Sequence, residues 1–178
     1  MRGAPGVIRR VLPFASVAGA VVALDQLTKT WVRSAFALYE SRPVLDGLFH
    51  LTYLRNPGAA FSFLARAPEG FRRPFFIGVT VVALVVILVI AGRLPRGKPW
   101  TLTALALVFG GAVGNLIDRI RWGEVVDFLD FFWKTHHWPP FNVADSAITV
   151  GMVLLLAEEL FGKKAERLGS GEARKQGG

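Results

Sequence analysis

Four apolar stretches, about Val11 to Trp31, Pro74 to Gly92, Trp100 to Ile117 and Asn142 to Phe161, dominate this chain of 178 residues. Each has the roughly 17–25 residues that a helix needs to cross the hydrocarbon core of a bilayer. A helix satisfies its own backbone hydrogen bonds there, so the expected fold class is an all-α integral membrane protein with four transmembrane helices. Composition agrees, because 52% hydrophobic and 19% charged residues make the chain too apolar for an ordinary soluble domain. Residues 1–162 are read as a single membrane domain and 163–178 as a basic, disordered tail.

Lys and Arg number 21 against 13 Asp and Glu, a net charge of +8. The basic residues form no polar face of the kind that binds nucleic acid; they collect at the ends of the apolar stretches. Arg2, Arg9 and Arg10 precede the first, Arg93, Arg96 and Lys98 fill the link between the second and third, and Lys163, Lys164, Arg167, Arg174 and Lys175 follow the fourth. The positive-inside rule then places both termini in the cytoplasm. A cleaved signal peptide, with Ala18-Gly19-Ala20 as its site, is the competing reading of the N-terminus. The apolar run continues past that site, which favours an uncleaved first span. The absence of Cys excludes disulfides, thiolate nucleophiles and Cys-ligated metal sites.

With the N-terminus inside, the links Val32–Arg73 and Arg119–Phe141 face the outside. In the first, Phe49, Leu51 and Tyr53 alternate with His50 and Thr52, and Asp46-Gly47 and Asn56-Pro57-Gly58 supply turns. Such period-two alternation predicts a small extracytoplasmic β-sheet. The second, WGEVVDFLDFFWKTHHWPP, is rich in Trp and Phe and is expected to form a short interfacial helix or flap at the headgroups.

The polar residues that interrupt the apolar segments all fall on this outer side: Asp25, Lys29, Asn56, Asn115, Asp118, Arg119, Asp127, Asn142 and Asp145. Polar groups beside spans are costly and tend to face a protein interior or a functional cavity. Each also has a structural reading. Asp25 and Lys29 are spaced for an intrahelical ion pair, Asp118-Arg119 for snorkelling at a helix end, and Asn142 with Asp145 for a capping box that has Asp in place of Glu. Asp130 reads as a solvated loop acid. His50, His136 and His137 show no metal-ligand spacing, Ser62 and Ser146 lack a His partner for a triad, and the small residues of GGAVG suit close helix packing. What remains is the pair Asp127 and Asp145. Two adjacent carboxylates share a proton, so one can activate water while the other polarises a peptide carbonyl. A proton-coupled transporter and a non-enzymatic scaffold are the alternatives.

Five blocks in order, DQLTKTW, NPGAAFSF, GGAVGNLIDR, VVDFLDF and FNVADS, together with the spans, resemble the lipoprotein signal peptidases (signal peptidase II). The resemblance covers about residues 10–160 and implies an aspartic endopeptidase of the bacterial cytoplasmic (inner) membrane whose site faces the extracytoplasmic side. It implies prolipoprotein substrates bearing a diacylglyceryl-Cys, cleavage just before that Cys, contact with membrane lipids and inhibition by globomycin. The catalytic dyad carries over to Asp127 and Asp145. Asn56, Asn115, Arg119 and Asn142 match substrate-binding or site-lining positions, and Asp25 and Lys29 match supporting ones. No metal, cofactor or nucleic acid is implied, and a monomer is expected.

Overall fold

The computed structural model describes residues 4–58, 67–95 and 97–176, with side chains over 10–58, 67–95 and 97–161. Four helices, α1 (Ala4–Ala35), α2 (Glu69–Arg93), α3 (Pro99–Trp122) and α4 (Val143–Gln176), accompany four short strands. The strands are β1 (Ser41–Leu45), β2 (Phe49–Asn56), β3 (Val125–Trp133) and β4 (His136–His137). Most of the NPGAAFSF block, including Ser62, and the link residue Arg96 lie outside the described residues.

Among the described residues, three helices are long and apolar enough to cross a membrane: Arg10–Ala35, Glu69–Arg93 and Pro99–Trp122. The fourth expected span, the first half of α4, carries Asp145 at one end and Glu158 and Glu159 at the other. The backbone of α4 continues as helix to Gln176, where a disordered tail was expected. Lys163, Lys164, Ala165, Glu166 and Arg167 are good helix formers that extend an existing helix without a new nucleation step.

Small residues set the distances between helices. A Cβ on Gly110 would lie 2.8 Å from the Ala18 carbonyl oxygen, and one on Gly151 would lie 2.7 Å from that of Ala104. Gly114 presses closest to chemistry, since a Cβ there would sit 2.6 Å from Asp25 Oδ2. α3 thus runs alongside α1 in the same direction and against α4 in the opposite one. At one end of the bundle Arg10 Nη1 donates to the Leu94 carbonyl at 2.7 Å, and Lys98 Nζ lies 3.1 Å from Glu158 Oε1. The sheet sits at the other end.

The sheet is antiparallel throughout, in the order β1-β2-β3-β4. Tyr53, Val126 and Phe128 form a buried cluster with Val32 and Phe36 at the end of α1, which fixes the sheet to the bundle. Asp46 and Gly47 turn β1 into β2, with Gly47 at φ 72°. The expected interfacial helix is corrected: the link after α3 adds two strands to the sheet. Gly123, at φ 75°, ends α3, and the β-branched and aromatic run VVDFLDFFW then pairs along the open edge of β2. The acids Asp127 and Asp130, three residues apart, give this strand a helix-like pattern in the sequence.

The β2–β3 register contains one irregularity. Leu51 pairs with Leu129 and Leu54 with Asp127, so β2 holds one extra residue between these points. Because side chains alternate across a sheet, this bulge turns Asn56 onto the face that carries Asp127.

Gly114→Ala is expected to lower thermal stability, by about 1–3 kcal/mol as overpacking usually does, because its methyl group would meet the buried Asp25 carboxylate. Gly78→Ala, where nothing lies within 4 Å of the new Cβ, is the neutral control in a detergent melting assay.

Candidate active site

Ten polar residues from five elements meet at the sheet end of the bundle. α1 contributes Asp25, Gln26 and Lys29; α3 contributes Asn115, Asp118 and Arg119; β2 and β3 contribute Asn56 and Asp127; the start of α4 contributes Asn142 and Asp145. Lys29, only 2% exposed, is the cation at the centre. Its Nζ lies 2.9 Å from Asp25 Oδ2, 3.0 Å from Asp118 Oδ2 and 2.9 Å from Asn115 Oδ1. An ammonium has three N–H groups, and these three acceptors use them all.

The acids tied to Lys29 also hold backbone. Asp25 Oδ1 accepts the Ala144 N–H at 3.0 Å, one of the otherwise unpaired donors at the start of α4. Asp118 Oδ2 accepts the Val126 N–H at 3.1 Å, so β3 is anchored beside α3. The expectation that Asp118 snorkels outward is corrected: at 2% exposure it is buried, because a cation and a strand N–H await it inside.

The approach to α4 is pinned to β3 as well. Phe128 N–H donates to the Phe141 carbonyl at 3.0 Å, and Phe141 N–H donates to the Leu129 carbonyl at 3.1 Å. The next residue, Asn142, caps the helix: its Oδ1 accepts the Asp145 N–H at 2.9 Å, while its own N–H reaches Asp145 Oδ2 at 3.3 Å. This is the reciprocal box expected from the sequence. The cap leaves Asn142 Nδ2 free to donate to Asp127 Oδ1 at 2.7 Å. Asp127 also receives Asn56 Nδ2 on Oδ2 at 3.0 Å, and Asp145 receives Asn115 Nδ2 on Oδ1 at 2.8 Å. Two amide side chains therefore stand between the Lys29 cluster and the carboxylate pair.

Burial, at 3% exposure, raises the Asp127 carboxyl well above the ordinary carboxylate range, to about 7. Loss of solvation is the main cause and the charge of Asp145 adds to it, while donors from Asn56 and Asn142 oppose it. Arg119 places its charge opposite Asp145, Asp127 and Asp118. Its Nη2 points to the Gly58 carbonyl at 3.4 Å, and its Cζ lies 5.3 Å from the Phe76 ring centre. The turn Asn56-Pro57-Gly58 thus closes over one side, held by Gly58 N–H donating to Asn56 Oδ1 at 3.0 Å.

All eight residues singled out from the sequence as catalytic, binding or supporting belong to this constellation. Gln26 was not among them. Its Nε2 lies 3.1 Å from Asp118 Oδ1 and 3.2 Å from both Asp25 Oδ2 and the Gly114 carbonyl. An amide beside Asp25 in an apolar helix was the available signal. Asp130 is corrected as well. It is buried, with Oδ1 2.9 Å from His137 Nδ1 and Oδ2 accepting Thr52 Oγ1 at 3.4 Å, so its environment comes from remote strands. Among the described residues no group of three or more acidic or His side chains could hold a metal ion.

A family model described as signal peptidase (SPase) II matches residues 17–161. The chain belongs to the signal peptidase II family. The lipoprotein signal peptidase of Geobacter sulfurreducens is 58% identical over 144 residues, 81% of this chain and 88% of that protein. That of Syntrophus aciditrophicus is 51% identical over 154 residues, 86% of this chain and 95% of its own. A bacterial membrane enzyme solved by the in meso method superposes with a TM-score of 0.76 at 31% identity, covering 84% of this chain and 88% of the other. The polar constellation thus sits within the part of the chain that the signal peptidase II family shares.

The raised carboxyl of Asp127 links pH to stability. A group whose folded value lies above its unfolded one stabilises fully below the unfolded value, near 4, and that contribution is lost as pH rises through about 7. The melting temperature is therefore expected to fall between pH 4 and 8 more steeply for the natural chain than for Asp127→Asn, measured by thermal unfolding in detergent. Equal slopes would show that Asp127 titrates as in the unfolded chain.

Proposed function

We propose that this protein removes the signal peptide from prolipoproteins, cleaving before a diacylglyceryl-modified Cys with a water activated between Asp127 and Asp145. The observation that carries this reading is the pair itself. One carboxyl, Asp127, is buried beside the other and raised to about 7. The other, Asp145, stands in the first turn of α4, where the helix dipole favours a negative charge. Asp127 is then the proton carrier and Asp145 the base.

In this scheme Asp145 takes a proton from water as its oxygen attacks the scissile carbonyl, and Asp127 gives its proton to the carbonyl oxygen. The resulting gem-diol collapses when Asp145 passes its proton to the leaving nitrogen and a diol hydroxyl returns one to Asp127. The dyad regains its starting state, with a carboxylic acid and an amine as products. Arg119 and Asn56 border the pair and are assigned to substrate contact. Buried β3 shields Asp127 from bulk water and strengthens the electrostatics around it, while Asp145 is half-buried.

The same reading takes α4 as a fourth span, both termini as cytoplasmic, and the site as extracytoplasmic, in the bacterial inner membrane, with a monomer as the working unit. Contacts of Arg10 with Leu94 and of Lys98 with Glu158 support this topology, since they gather basic segment ends away from the dyad. A lipid-anchored substrate diffusing in the outer leaflet reaches such a site without leaving the membrane.

Asp127→Asn and Asp145→Asn, made separately, are each expected to stay folded and to lower cleavage of a diacylglyceryl-modified precursor by about 10²–10⁴-fold. Globomycin is expected to block the natural chain in the same assay. Near-normal cleavage by both variants would remove the dyad. The rate should also decline as pH rises through about 7, when Asp127 loses its proton; a profile flat from pH 5 to 9 would contradict its role as proton carrier.

A further inference from the structure

We propose that Lys29 is a positioning residue: its ammonium sets the direction of the Asn115 amide, so that Asn115 offers an N–H, rather than a carbonyl oxygen, to Asp145. The proposal rests on the dyad reading above and assigns a task to a cation that touches neither carboxylate of the pair.

The argument follows from donor and acceptor counts. An ammonium can only donate, so the Asn115 atom 2.9 Å from Lys29 Nζ must be the oxygen. The other end of the amide is then the NH₂ group, and it lies 2.8 Å from Asp145 Oδ1. Lys29 has no freedom to release this oxygen, because its two remaining N–H groups are held by Asp25 and Asp118. The second amide is oriented independently. Asn142 Oδ1 accepts the Asp145 backbone N–H, itself a fixed donor, so its NH₂ group faces Asp127. That NH₂ group also lies 3.2 Å from Asn115 Oδ1. A reversed Asn115 would set NH₂ against NH₂ on one side and oxygen against carboxylate on the other. The charged groups around this relay are Asp25 and Lys29 of α1, Asp118 and Arg119 of α3, Asp127 of β3 and Asp145 of α4.

Without Lys29 the Asn115 oxygen keeps only the 3.2 Å contact from Asn142 Nδ2, so the amide is held less firmly in the direction that donates to Asp145 and favours its charged form. The acid limb of the pH–rate profile then moves upward, which loss of scaffold strength alone would not produce. The test uses the full chain in lipid nanodiscs with a diacylglyceryl-modified precursor peptide. Lys29→Met combined with Asp118→Asn removes the cation and one carboxylate, so the formal charge of the cluster is unchanged. Asn115→Leu leaves the Lys29, Asp25 and Asp118 cluster in place and removes the donor directly. Each is expected to shift the acid limb upward by about one pH unit, with KM little changed and kcat on that limb, measured well below its midpoint, reduced by up to about tenfold. The combination of all three substitutions is expected to shift it no further, because both routes end at the same hydrogen bond. An unmoved acid limb in either folded variant overturns the proposal, as do fully additive shifts. Failure of the Lys29→Met/Asp118→Asn chain to fold assigns Lys29 to the scaffold alone and overturns it too. Retained cleavage by Asp127→Asn and Asp145→Asn would instead strike the dyad reading, so the two failures are separable.

Discussion

A single buried ammonium holds the working end of this molecule together. Lys29 joins Asp25 of its own helix to Asp118 and Asn115 of α3. Asp25 in turn holds the first turn of α4, and Asp118 holds β3. Four elements thus meet at one charge cluster from which water is excluded. Breaking a buried ion pair from one side typically costs about 3–5 kcal/mol, because the remaining charge stays buried without a partner. The cluster is formally an anion, with two carboxylates to one ammonium, and the Gln26 amide, lying against both carboxylates, supplies part of the missing donor capacity. Apolar packing is thin here by comparison: three of the four largest fully buried side chains are Lys29, Asn142 and Asp25.

Much of this was legible in the sequence, for reasons specific to each segment. Apolar length fixes the helices because a bilayer leaves a segment few other ways to satisfy its backbone. The first hairpin followed from the alternation of Phe49, Leu51 and Tyr53 and from the Asp46-Gly47 turn. Strand β3 was misread because its Trp and Phe residues suit an interfacial segment, while its two acids are satisfied by partners on other elements. Asp127 meets Asn56 and Asn142, and Asp130 meets Thr52 and His137. No local pattern encodes such partners. The same applies to Asp118, whose inward turn depends on a lysine 89 positions earlier in the chain (118 − 29).

The site itself was legible as a set of letters and not as a geometry. Depth alone grouped the polar residues at one end, since each lies at the same end of its apolar segment. Their order of contact, from ammonium through amides to carboxylates, required the helix-to-helix distances that Gly110, Gly111 and Gly114 permit. The backbone pairing of Phe141 with β3 was equally needed, because it brings the start of α4 beside Asp127.

The bulge in β2 bears on what the family motifs encode. Here β2 carries one more residue than β3 between the flanking pairs, and the bulge takes it out of the ladder, so Asn56 shares the face of Asp127. Loss of that one residue would remove the bulge and leave Leu54 opposite Asp127 and Asn56 opposite Val125, whereas a regular ladder through the present residues would turn the asparagine to the opposite face. The bulge therefore acts as a buffer: it takes up a change in residue count and spares the register of the end of β2 that carries the asparagine.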